Sequence, residues 1–414
     1  MTPRRPVKVL MLDPPASVCA VTHNLCNALA EMGCEVHLFT GPYWTRSAGR
    51  CARREYRPRI EFYRHTQLRE QAATSTITKL GWRAVRVLSH CWTLAKLCWI
   101  VRQFDVIHVQ WLPVPELDLV WLWLVSRRVP VFYTVHNQLP HHARLKWISR
   151  PIHRAIYRIP RVLFVHSAYT ARGLIDRFGI AAEKIVEIRH GNMQHLLELR
   201  PAAGRLEPAG ARPPVVLFLG QIRRDKGLDV LLVAADRLRR RVAGVRVLVV
   251  GRPLVDMRPY FDLVRALDLA HVVQFRLGYI EEDELPAWLH RATVVALPYN
   301  AVDQSGVAVA ACTLGKALVA TRCGGLEELV READNGILVS IGDPEQLAEA
   351  IGEILLDQGK RRRYEANSLK YARETLSWQP IAETTLAAYL RYGIPRGGRP
   401  RAAVPPAPPL WSCG

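Results

Sequence analysis

The stretch Pro214–Arg241, PVVLFLGQIRRDKGLDVLLVAADRLRRR, decides the fold. It opens with an unbroken apolar run of strand length, as expected for a parallel strand covered on both faces. Gly220 closes the run, a cationic turn follows, and LDVLLVAADRLRRR reads as a helix. VRVLVVG (Val245–Gly251) is then a second strand, and VVQF, TVVALP and ALVATR continue the alternation. Strands separated by helices are βαβ units of a doubly wound sheet. The same rhythm occupies the first half of the chain. There VKVLML (Val7–Leu12), CEVHLFT (Cys34–Thr40), FDVIHVQ (Phe104–Gln110), VPVFYTV (Val129–Val135) and RVLFVHS (Arg161–Ser167) are strands. Between the first two, Leu25, Leu29 and Met32 share one helical face, and Gly33 is a stop signal.

Residues 200–214 are rich in Pro, Gly, Ala and Arg and break the periodicity. The fold class is therefore α/β, with two Rossmann-like doubly wound parallel-sheet domains. The expected organisation is a first domain over residues 1–199, a linker at 200–214 and a second domain over 215–370. A C-terminal helix at 371–394 would pack back on the first domain. The Pro- and Arg-rich stretch 395–414 has too few apolar residues to offset its ordering entropy.

With 414 residues, 49% hydrophobic and 23% charged, the chain can bury two cores without staples. Its nine cysteines show no CxxC spacing, which argues against a zinc site or a disulfide framework and for a reducing compartment. No apolar run approaches the roughly 18 residues of a spanning helix. The longest, Leu117–Val125, has strand or core-helix length, and the N-terminal apolar run reads as a strand and not as a signal peptide. A net charge of +20 calls for an anionic partner: nucleic acid, anionic lipid or a phosphorylated substrate. No helix-turn-helix, zinc finger or aromatic RNA motif is present, so nucleic acid is set aside.

Ligands of open parallel sheets bind beyond the carboxyl ends of the strands. There, Gly220-Gln221-Ile222-Arg223-Arg224-Asp225-Lys226-Gly227 forms either a phosphate cradle or a solvated charged turn. Ser305-Gly306 opens an apolar helix, as an anion site or an ordinary N-cap. Gly324-Gly325 is a further close-approach turn. In the first half, His136, Asn137, His141 and His142 follow a strand. Three histidines so close together raise the question of a metal. However, His141 and His142 are adjacent and no carboxylate is near, which suits a tetrahedral site poorly. His190-Gly191-Asn192 lies just before the linker, where the two domains would face each other.

Taken in order, these motifs resemble the retaining glycosyltransferases of family 4, with the GT-B fold, over roughly residues 6–392. The family's G-R-x-x-x-x-K-G is met by Gly220 to Gly227, its strand-ending glycine by Gly251, and its nucleotide-loop glycine by Gly278-Tyr279-Ile280. The segment G-x-P-V-V-A-T-x-x-G-G-x-x-E is met by Gly315–Glu328, and the closing segment by Asn335–Val339 with DPEQLAEAI. The resemblance implies two domains facing across a cleft and transfer of a sugar from a nucleotide diphosphate sugar, the nucleotide sugar being substrate, with no cofactor, no required metal and no protein base. The implied roles place Arg223, Arg224, Lys226, Ser305 and Gly306 at the donor diphosphate and Gly220, Gly251, Gly278 and Tyr279 at the nucleotide. His136 and Asp303 fall at the reacting sugar, and Asn137, His141, His190 and Asn192 at the acceptor or between the domains. Three departures stand out: Gln221 replaces the family arginine, Asp13-Pro14-Pro15-Ala16 replaces a glycine-rich loop, and the E-x7-E pair is missing, with Ala310 at its second position. The Gln-Ser-Gly form and the histidine cluster resemble a branch that builds exopolysaccharides or glycolipids on lipid carriers, some of it mannosyl-transferring, which would make GDP-mannose a donor. The competing expectation is a catalytically inactive binding or regulatory relic, which binds no nucleotide or binds it without turnover.

Arg144, Lys146, Arg150, Arg154, Arg158 and Arg161 recur mostly every four residues, with Trp147, Ile148, Ile152, Ile156 and Ile159 between them. Read as a helix with Pro151 at its start, this is a basic amphipathic surface for an anionic bilayer, with Arg150, Arg154, Arg158 and Trp147 as membrane contacts. Lys79–Arg102 is a second such stretch. The expected location is cytoplasmic, peripheral on the inner face of the plasma membrane, near a lipid-linked or saccharide acceptor.

Overall fold

The computed structural model describes residues 5–15, 19–42, 55–63, 66, 75–139, 146–198 and 213–393. His141, Arg144, most of the linker and the stretch 395–414 lie outside them, as do the side chains of Lys146, Trp147 and Ile148. The first sheet has seven parallel strands: β1 (Lys8–Asp13), β2 (Glu35–Thr40), β3 (Arg57–Ile60), β4 (Val106–Val109), β5 (Val131–Val135), β6 (Val162–Val165) and β7 (Ile185–Glu187). Their order is β3-β2-β1-β4-β5-β6-β7. The second has six: β8 (Val215–Leu219), β9 (Arg246–Gly251), β10 (Val273–Leu277), β11 (Val294–Leu297), β12 (Leu318–Thr321) and β13 (Gly336–Val339), in the order β10-β9-β8-β11-β12-β13. All strand pairs are parallel, and the order in which strands are added reverses once in each sheet, between β1 and β4 and between β8 and β11. These switch points open the crevices in which such sheets take ligands.

The apolar runs are continuous because both faces of each sheet are covered. In β8, Val216 and Phe218 enter one core while Leu217 and Leu219 enter the other, following the period of two. Helix Trp378–Tyr392 crosses to the first domain, where Ile381, Ala382 and Tyr389 pack with Val9, Leu25 and Phe132.

Leu117–Val125 lies in helix Pro115–Ser126. The longest helix among the described residues, Thr76–Ile100, holds no unbroken apolar run of that length, because Lys79, Arg83, Arg86 and Lys96 punctuate it. Even so, Leu80–Gln103 is long and apolar enough by length and composition to cross a bilayer. Pro151 lies inside helix Lys146–Arg158 and not at its start. Three of the isoleucines expected to form an apolar wedge there turn inward: Ile156 is fully buried, and Ile152 and Ile159 pack against the same core. Their spacing marks the inward face of the helix, and Arg150, Arg154 and Arg158 lie exposed, as does Pro151.

Candidate functional site

Beyond β8, the backbone of Gly220 (φ +117°) touches that of Gly251 (φ +152°). A Cβ on Gly251 would lie 1.7 Å from the Gly220 carbonyl oxygen. Both positions require glycine, one for its dihedral angle and the other for the close approach as well. The turn ends at Gly227, in the left-handed conformation, which starts helix Leu228–Arg241. Within it, Lys226 is not in an exposed turn but half-buried, its ammonium 3.5 Å from the centroid of the Tyr299 ring. Tyr299 shares a hydrogen bond with Ser305, the N-cap of helix Gly306–Thr313, whose Oγ accepts from the Ala308 amide at 3.2 Å. The cationic turn and the helix start thus meet at one buried phenol. A Cβ at Gly306 would meet only the Met193 Cε at 3.5 Å, so the fold itself leaves room there.

Arg223 is bound to Asp225 through two bonds of 2.9 and 2.6 Å, and Arg224 is exposed. Lys226 has no ion pair among the described residues. Burial is the main cause that brings its pKa down to about 8, helped by Arg223 and opposed by Asp225. A diphosphate would restore the charged form. Affinity for a nucleoside diphosphate is therefore expected to be flat below neutral pH and to weaken as pH rises through about 8, where the free protein loses that proton. Calorimetric titration across this range checks it, and a pH-independent affinity would remove Lys226 from the site.

The first domain carries histidines in or just beyond four adjacent strands: His108, His136, His166 and His190. The Gln110 amide nitrogen faces Met11 Sδ and His108 Nε2, so its oxygen accepts from His136 Nε2–H at 3.1 Å. His136 Nδ1 then faces His166 Nε2 at 3.3 Å and the Gln304 amide at 3.5 Å. The Trp111 indole stacks on His136, with centroids 4.5 Å apart and planes 5° apart. Burial holds His136 well below its usual pKa, and the neighbouring histidines push it further; His108 and His166 fall to about 3, also chiefly through burial. The row is neutral at physiological pH: it can orient hydroxyl groups but carries no cationic acid. The indole N–H of Trp111 and the Gln304 amide oxygen are buried with no partner among the described residues. Two orphaned polar atoms beside one histidine are costly unless a ligand completes them.

Asp303 does not point into open space as a sugar contact would. Its two oxygens accept from the Gln138 backbone and side-chain amides at 3.0 and 2.9 Å, tying the second domain to the first. Burial raises its pKa, and these two bonds pull it back. Arg189 adds ion pairs across the same boundary, to Glu328 at 3.4 Å and Glu332 at 2.7 Å. Glu328 also accepts from the Ala168 amide at the start of helix Ala168–Phe178. Asn192 donates to the Ala372 carbonyl at 2.9 Å, and the Trp378 indole donates to the Asn192 carbonyl at 2.8 Å, so His190-Gly191-Asn192 is a joint between elements. A small interdomain cavity is lined by His166, His190, Gln304, Ser305 and Glu328. Asn137 is half-buried beside His136. Tyr279 is exposed, next to Gly278 (φ +145°) at the end of β10. Ala310, where the family's second glutamate would stand, is buried in the core.

The sequence reading missed Gln110, Trp111, Gln138, His108 and His166. The signal was there: VIHVQ, YTVHN and LFVHS each end a strand run in polar or histidine residues. His136→Ala is expected to lower kcat far more than nucleotide affinity if the ring positions substrate. A purely structural role predicts a lower thermal midpoint with no selective kinetic loss.

Residues 19–191 match the family described as Glycosyltransferase Family 4, and residues 213–357 match Glycosyl transferases group 1. The D-inositol 3-phosphate glycosyltransferase of Nocardia farcinica is 30% identical over 306 residues, a stretch spanning 69% of this chain and 66% of that protein. The MMP alpha-(1->4)-mannosyltransferase of Mycolicibacterium hassiacum is 26% identical over 403 residues, 88% of this chain and 92% of that protein. Among solved structures, HepE of Anabaena in complex with UDP-glucose superposes with a TM-score of 0.66 at 18% identity. That match covers 93% of this chain and 99% of the other, and supports the two-domain GT-B architecture.

Proposed function

The chain belongs to the family 4, group 1 glycosyltransferases, and from that premise we propose that it moves a hexosyl unit from a nucleotide diphosphate sugar to a saccharide acceptor carried on a lipid, with retention of configuration, in exopolysaccharide or glycolipid synthesis. The observation that carries this reading is Lys226, a desolvated cation without an ion pair among the described residues, held against Tyr299 where the glycine turn meets a capped helix start. Such an ammonium is placed to take the charge that develops on a departing diphosphate, where preorganised groups do most of the work. Arg223 can join it by exchanging Asp225 for phosphate, and Arg224 from the exposed side of the turn. His136, Trp111 and Gln304 offer an uncharged polar wall to sugar hydroxyls. The nucleotide sugar is then the substrate, and the protein's own cations are assigned the role a metal would otherwise fill. The mannosyltransferase relative makes GDP-mannose a first donor to try.

A second reading, a binding protein without turnover, is favoured by Ala310 and by the use of both Asp303 oxygens in the link to Gln138. One experiment separates the two. Purified protein is incubated with a panel of UDP-, GDP- and ADP-sugars and a membrane lipid extract, and nucleoside diphosphate release is scored beside calorimetric binding. Release above the protein-free rate supports the enzyme, whereas binding without release supports the relic.

A further inference from the structure

We infer that the outer helical layer of the first domain, helices Thr76–Ile100 and Pro115–Ser126, is an in-plane contact surface for an anionic lipid bilayer, resting on the reading that the acceptor is lipid-linked. Trp99 is 80% exposed, Trp92 76% and Leu88 69%, with Leu80 and Val85 also open on the same helix. At 100° per residue these side chains share one side of a rod about 37 Å long. Val120, Trp123 and Leu124 extend the apolar surface onto the neighbouring helix, which Arg128 joins to the first through a 2.9 Å bond to the Cys98 carbonyl. An apolar face of this extent, carrying three exposed tryptophans, marks an interaction site.

Charge selects the occupant. No acidic residue occurs between Thr76 and Gln103, while Lys79, Arg83, Arg86, Lys96 and Arg102 do; of these Lys96 pairs with Glu61 at 2.7 Å, and the neighbouring helix carries one exposed carboxylate, Glu116, in its first turn. The Arg127 guanidinium lies 3.6 Å over the Trp123 ring, an arrangement suited to the headgroup level of a bilayer. Helix Lys146–Arg158 packs beside Pro115–Ser126 and turns Arg150, Arg154 and Arg158 outward. The basic stripe and the apolar wedge, sought on one helix in the sequence, therefore sit on neighbouring helices of one layer. A second copy of this chain would bring like charge against like, whereas an anionic leaflet is complementary.

Length alone would let Leu80–Gln103 span a membrane, but its inner side forbids it. His90 is fully buried and bonded on one nitrogen to Asp118 at 2.7 Å and on the other to the Tyr63 hydroxyl at 3.0 Å. Asp118 in turn accepts from the Val114 amide at 2.8 Å. Crossing would break this polar chain inside hydrocarbon. The helix is pinned to its domain and can only lie on the surface.

The test is co-sedimentation of the full chain with phosphatidylglycerol/phosphatidylcholine vesicles and with pure phosphatidylcholine vesicles, at low and high salt. Preferential binding to the anionic vesicles, partly released by salt, is expected. The double variant Trp92→Ser/Trp99→Ser should lose about tenfold or more of the partitioning through lost apolar burial. Its thermal midpoint and nucleoside diphosphate affinity should stay unchanged. Arg150→Glu/Arg154→Glu/Arg158→Glu should abolish the preference for anionic lipid. A double variant that sediments as the parent does overturns the inference. So does a lipid-free dimer in analytical ultracentrifugation that the double variant converts to monomer. Nucleoside diphosphate binding is measured without vesicles, and its release is measured with the lipid extract dissolved in detergent, so failure of the surface and failure of the enzymatic reading are told apart.

Discussion

Lys226→Met is expected to lower the transfer rate by about 10²–10³-fold, or about 2.7–4 kcal/mol of transition-state stabilisation, the scale for one preorganised electrostatic donor. Methionine keeps an apolar stem over Tyr299 and removes only the charge. The fold should survive and gain slightly, because the ammonium is held there against desolvation. The sign follows from linkage. The folded pKa of about 8 lies below the unfolded value, so the folded state binds this proton more weakly. The parent's stability on this account rises as pH increases through about 8 toward the unfolded value, and the variant should lack that rise. Paired single-turnover rates and thermal midpoints from neutral to alkaline pH check both halves. A variant with the parent's turnover would show that the diphosphate is neutralised elsewhere, by Arg223 or Arg224.

Gly251→Ala is expected to cost about 2–4 kcal/mol of stability and to abolish donor binding. The new methyl group would overlap the Gly220 carbonyl, and φ at +152° is a conformation that side-chain-bearing residues avoid. Two backbone segments would have to part, and the turn that leads to Lys226 starts from one of them. Gly220→Ala is the internal comparison. It shares a positive φ of +117°, but its methyl group would meet only Val307 Cγ2, at 3.3 Å. The larger loss should therefore fall on Gly251. Thermal melts and nucleoside diphosphate titrations of the two variants decide it, and equal, mild losses would mean that the crossing of β8 and β9 relaxes without consequence.

The two parallel sheets were legible because parallel strands are covered on both faces and so leave unbroken apolar runs such as VVLFL and VLVV, which need no knowledge of the partner strand. β3 (Arg57–Ile60) escaped that reading because it is an edge strand, half-exposed and carrying arginines and a proline. The glycines at Gly220, Gly251 and Gly227 were legible for a related reason: they end strands or open helices, and local backbone geometry demands them.

The amino-acid sequence by itself determined the fold class, the alternation of elements and the family, since these rest on local periodicity and on motifs in order along the chain. Only the tertiary structure decided which polar groups meet. Strand order β1-β4-β5-β6-β7 is what lines up His108, His136, His166 and His190, and no spacing along the chain encodes that neighbourhood. Asp303 reads as a sugar contact until Gln138, 165 residues away, is seen to occupy both its oxygens. The surface shows the same division. Periodicity finds amphipathic helices, but an apolar stripe looks the same whether it faces a core or a membrane. Ile156 and Trp99 are both apolar residues on cation-rich helices, and only packing sent the first inward and left the second exposed.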